Sequence, residues 1–62
     1  MNHLIDMLQK SAEADKSKAL LTLELLSNHP AGIGDHSTDD FYKNAEEAVI
    51  MLAEADDRLE AI

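Results

Sequence analysis

Residues 27–40 read SNHPAGIGDHSTDD. This stretch holds both glycines, the only proline and two of the three histidines of a 62-residue chain. Gly and Pro are the strongest interrupters of regular structure, so confining them to one place leaves two unbroken flanks. Ala, Leu, Glu, Lys and Met dominate those flanks, and these residues lose little on entering a helix. The pattern predicts two long helices, over about residues 2–28 and 38–61, joined by a loop over about 29–37. At ~1.5 Å per residue each helix would reach about 35–40 Å. The whole chain, 1–62, is then a single helical-hairpin domain.

The signals at the bend agree with this. The ring of Pro30 disfavours a helical conformation at His29 and cannot continue the backbone ladder. Gly32 and Gly34 admit backbone angles that other residues resist. Ser37 is a good N-cap for the second helix, and Asp39 and Asp40 face the positive end of its dipole. A loop of about nine residues is longer than a helix–helix connection usually needs.

The apolar spacing supplies the pairing. Phe41, Ala45, Ala48, Leu52, Ala55, Leu59 and Ile62 recur in steps of 4 and 3, a heptad seam that suits a shallow packing angle. Ile5, Leu8, Ala12, Ala19 and Leu26 fit one face of the first helix. In an antiparallel hairpin, facing positions share a constant sum. Ile5 with Ile62, Leu8 with Leu59, Ala12 with Ala55, Ala19 with Ala48 and Leu26 with Phe41 all share the sum 67. Small residues meet small ones, which favours close approach of the two backbones. Asp15 falls opposite Leu52 and interrupts the seam; either it leans out to solvent or the helix shifts there. Phe41 is expected to plug the loop end of the core, with Tyr42 at its edge.

One hairpin cannot cover all of this apolar surface. Leu20, Leu21, Leu23, Leu25 and Leu26 fall within seven residues and span more than half of the first helix's circumference. The run AVIML, residues 48–52, does the same on the second. Left bare, Leu20, Leu21, Leu23, Val49, Ile50 and Met51 would make a patch larger than soluble monomers usually expose. A chain this short is only marginally stable alone, and with no cysteine it has no disulfide to help it. The expected solution is all-α: an antiparallel helical hairpin that forms a homodimer, two hairpins making a four-helix bundle. A different protein on the same surface would satisfy the same physics.

The formal net charge is −8, most of it in the second half. Such a surface repels phosphate backbones, so nucleic acid is not expected as a partner. It suits a basic protein instead. The chain starts with no basic-then-apolar leader, and no apolar run approaches the ~20 residues of a membrane span. The expectation is a cytoplasmic protein with no membrane partner.

Three groups of residues could carry chemistry. His29, Asp35, His36 and Asp39 combine imidazole with carboxylate, a donor set for a transition metal, but they lack the spacing of a structural zinc site. Asp35-His36 ahead of a capped helix is more simply a turn. Glu54 and Asp57 form an E-x-x-D pair like half of the magnesium site of all-α nucleoside triphosphate pyrophosphatases. The companion E-x-x-E is missing, so a solvated helix face is the simpler reading. AGIGDHS, residues 31–37, resembles an anion cradle, but Asp35, Asp39 and Asp40 would repel an anion there, and no phosphate-loop lysine follows. No Ser or Cys nucleophile is patterned with either loop histidine. The chain is read as a non-enzyme without cofactor or metal.

From residue 29 to residue 60 the sequence HPAGIGDHSTDDFYKNAEEAVIMLAEADDRLE resembles small proteins of tailed phages, marine ones included. In those, a P-x-G-I-G-D-H segment precedes a helix with an acidic ADDRLE-type run. The resemblance covers about half the chain and brings no activity with it. It implies a viral or metagenomic source and expression in a host bacterial cytoplasm. It marks Pro30, Gly32, Gly34, Asp35 and His36 as the loop positions to test first. It also allows an alternative role, an accessory protein that inhibits a basic host protein by imitating the charge of DNA.

Overall fold

The structure, a computed structural model, describes residues 2–28 and 38–62. These form two helices and no strand: α1, His3–Asn28, and α2, Thr38–Ala61. The only shift from the expected boundaries is at the start of α1, and it has a local cause. Asn2 stands just outside the helix as its cap. The Asn2 side-chain Oδ1 accepts from the backbone N–H of Leu4 at 3.0 Å and of Ile5 at 3.3 Å. Its carbonyl accepts the first helical bond, from the N–H of Asp6 at 3.0 Å. Two N–H groups that no helical carbonyl can reach are thereby satisfied. Asp6 in the first turn adds a favourable charge at the positive end of the dipole, and Lys10 pairs with it one turn on at 2.8 Å. Towards the other end, the hydroxyls of Thr22 and Ser27 donate to the carbonyls of Lys18 and Leu23 one turn back.

The helices lie side by side and antiparallel. Leu8 and Ser11 meet Arg58, Ala61 and Ile62 at one end; Thr22 and Leu26 meet Asn44, Glu47, Ala48 and Met51 at the other. The result is a rod of 48 × 14 × 14 Å with a radius of gyration of 14.6 Å. A compact domain of this length would have about 10.6 Å.

The seam between the helices is made of alanine. Among the described residues the buried hydrophobic ones are Ala12, Ala19, Ala48 and Ala55, at 0–4% exposure. They are the four small residues expected to face one another, 12 with 55 and 19 with 48. Leu23, Leu26, Phe41, Ala45, Leu52 and Leu59 are half-buried around them. Towards the open end of the hairpin, Ile5, Leu8 and Ile62 belong to the seam but stay more than two-fifths exposed. Phe41 is half-buried near the start of α2 and Tyr42 beside it is exposed, their rings edge to face with centroids 5.9 Å apart. An alanine seam draws two backbones close together, but each alanine contributes only a methyl group. No large side chain among the described residues is fully buried.

His29, Pro30, Gly32, Gly34, Asp35 and His36, with the expected cap Ser37, lie outside the described residues.

Candidate self-association surface

Two ion pairs mark the two edges of the interhelical seam. On one edge Arg58 Nη2 donates to Asp15 Oδ2 at 2.7 Å. On the other Lys16 Nζ lies 2.9 Å from Asp56 Oδ1. Residues seven apart on a seam helix return to the same edge, so each pair identifies its neighbours. The Asp15–Arg58 edge takes in Leu8, Thr22, Asn44 and Met51. Two grooves between the helices open there, a cleft of about 400 Å3 beside Leu8, Ser11 and Arg58 and one of about 240 Å3 beside Thr22, Leu26 and Met51. The Lys16–Asp56 edge takes in Gln9, Leu23, Tyr42 and Val49.

The six apolar residues singled out as an interface therefore do not form one patch. Leu20, Leu23 and Val49 belong to the Lys16–Asp56 edge; Leu21 and Met51 flank the opposite one; Ile50 lies on α2 away from the seam. Leu23 is half-buried, and the other five are 43–58% exposed. Leu20 and Leu21 part company because consecutive residues on a helix are turned by about 100°.

Sequence reasoning passed over a second heptad row on α1. Leu4, Met7, Ser11, Ala14, Lys18, Leu21 and Leu25 recur in steps of 3 and 4. Ser11 lines the larger groove, which fixes this row beside the Asp15–Arg58 edge. Its four large members are 51–60% exposed, and Lys18 is its only charge. The signal was present in the spacing but is masked by Leu20 and Leu23, which break the apparent period.

The accessible surface of the chain is 4863 Å2. A folded monomer of 6.8 kDa is expected to expose about 3,950 Å2. The excess of about 900 Å2 is close to the ~800 Å2 that one partner buries in a standard protein interface. Twelve large hydrophobic residues among those described are more than two-fifths exposed.

Charge is divided between the helices. In α1 four acids stand against three lysines; in α2 eight acids stand against Lys43 and Arg58. All eight carboxylates of α2 are exposed, Glu54 and Asp57 among them. Among the described residues no group of three or more metal-ligating side chains is close enough to hold an ion, and no helix is long and apolar enough to cross a membrane. No family model matches the chain, and no curated protein and no solved structure matches it.

Proposed function

We propose that the chain works as a helical interaction protein that completes its core by self-association, two hairpins forming a homodimeric four-helix bundle. One observation carries this reading. Among the described residues the hairpin fully buries only alanine methyl groups and leaves five leucines, Ile5, Ile50, Ile62, Met7, Val49 and Met51 more than two-fifths exposed. Burial of apolar area stabilises by ~25 cal/mol per Å2, so the uncovered side chains are where most of the available stabilisation lies. A second copy is the partner always present at matching concentration. Thermal unfolding followed by circular dichroism tests the reading. A melting temperature that climbs over a hundredfold rise in protein concentration supports it, because association with the folded state alone stabilises by mass action. A midpoint independent of concentration counts against it.

The exposed acids of α2 support a second reading: a small phage protein that captures a basic host protein. Its test is a low-salt pull-down with the wild-type chain and with a charge-reversed variant, Glu46→Lys with Asp57→Lys. A basic protein held by the first and released by the second supports it; equal recovery by both removes it.

A further inference from the structure

We infer that the self-association surface is the outer row of α1, Leu4 to Leu25, and that the partner's α1 lies on it antiparallel, with the two-fold axis near Ser11 and Ala14. This rests on the self-association reading above and adds its surface and orientation.

Three observations select the row. It is the most apolar heptad row of α1 outside the seam, and its large members are the most exposed leucines of α1 together with Met7. It carries one charge, whereas the matching row of α1 on the opposite flank, Asp6 to Ser27 through Leu20 and Leu23, carries Asp6, Glu13 and Lys16, with Glu46, Asp56 and Glu60 of α2 beside it. Pairing through that flank would desolvate and oppose several carboxylates at once. Pairing through the α1 row keeps the acids of α2 out of the α1–α1 contact, with only Glu47 at the lip of a groove beside it. Finally, two open grooves between the helices lie on the row's side, with Ser11 shared between row and groove, whereas the hollow beside Ala45, Val49 and Ile50 is formed by α2 alone and is edged by Glu46. A helix laid along the row therefore has recesses beside it for its larger side chains.

The order of sizes along the row selects the orientation. It runs large, large, small, small, Lys18, large, large. Turned end for end about an axis between Ser11 and Ala14, Leu4 comes over the partner's Leu21 and Met7 lies along the aliphatic stem of the partner's Lys18, while Ser11 meets Ala14, where small side chains let the backbones approach. A parallel pairing would set Lys18 directly against the partner's Lys18. In the antiparallel one the two lysines stand at least about 10 Å apart along the axis, near the screening length of physiological salt.

The chain has no cysteine, so each introduced thiol reports alone. The experiment oxidises Leu4→Cys, Leu21→Cys, Leu25→Cys and Val49→Cys singly and in equimolar mixtures, beside wild-type protein sized by light scattering. A disulfide needs Cβ atoms about 3.5–4.5 Å apart. The expected result is a cross-link in the mixture of Leu4→Cys with Leu21→Cys, little or none from Leu4→Cys, Leu21→Cys or Leu25→Cys alone, and none from Val49→Cys. Self-cross-linking of Leu4→Cys and of Leu21→Cys would mean a parallel pair and overturn the orientation. Cross-linking of Val49→Cys with none along the row would move the interface to the other edge and overturn the inference, with self-association intact. Ser11→Cys mixed with Ala14→Cys repeats the surface test with substitutions too small to disturb packing, and its failure in a dimeric wild type likewise overturns the inference. A wild-type monomer would remove the self-association reading itself.

Discussion

Arg58 reaches across the hairpin to Asp15, guanidinium to carboxylate at 2.7 Å, joining residues 43 apart in the chain. Asp15 looked like a fault in the seam. It is instead a peg at the seam's edge, with 34% of its side chain exposed against 46% for Arg58. At that exposure water screens the pair, and such pairs contribute about 0.2–1 kcal/mol. A double-mutant cycle of Asp15→Ala and Arg58→Ala, followed by urea unfolding, should give a coupling of about 0.5 kcal/mol that shrinks in 0.5 M salt. Additive losses would show that the contact contributes nothing.

The alanine seam should resist enlargement. Ala19 is fully buried, so Ala19→Leu must push the helices apart or strain its own rotamer, at a cost of about 1–3 kcal/mol. Ala53 is exposed on α2, and Ala53→Leu should leave stability within about 0.5 kcal/mol of wild type. Chemical denaturation of both variants checks this. Equal effects at the two positions would contradict the seam.

Asn2 caps α1 through its side chain. Asn2→Ala should cost about 1 kcal/mol, while Asn2→Asp should keep the stability because it retains the accepting oxygen and adds charge at the positive end of the dipole. Amide hydrogen exchange in the first turn, at Leu4 and Ile5, should quicken in the first variant only.

On the association surface, Leu21→Glu should weaken self-association at least tenfold in dissociation constant, because it buries a carboxylate against an apolar row. Leu20→Glu, one residue away on the opposite flank, should leave the dissociation constant within about threefold. Sedimentation equilibrium measures both. The reverse order of effects would place the partner on the Lys16–Asp56 edge.

Much of the fold was legible because its signals are local or periodic. Pro30, Gly32 and Gly34 stand alone in the sequence, and the steps from Phe41 to Ile62 identify Ala48 and Ala55 as seam residues before any coordinates. The ion pairs were not legible. Whether Arg58 serves Asp15 or a residue of its own helix depends on which edge of the seam it occupies, a tertiary fact. The candidate surface was half legible. A window on the chain gathers Leu20, Leu21 and Leu23 as neighbours, whereas the helix sends Leu21 to one flank and Leu20 and Leu23 to the other. Only spacing by sevens reunites Leu21 and Leu25 with Leu4 and Met7. The chemistry weighed at His29, Asp35 and His36 lies outside the described residues, while Glu54 and Asp57 are exposed on α2.

The central claim is that a lone hairpin leaves too much apolar surface uncovered and pairs with its own copy. Its most direct test is the molar mass of the wild-type chain by light scattering after gel filtration, at tens of micromolar. The account predicts twice the 6.8 kDa of one chain, with full helical circular dichroism. A helical, cooperatively folding species that stays at 6.8 kDa would contradict it.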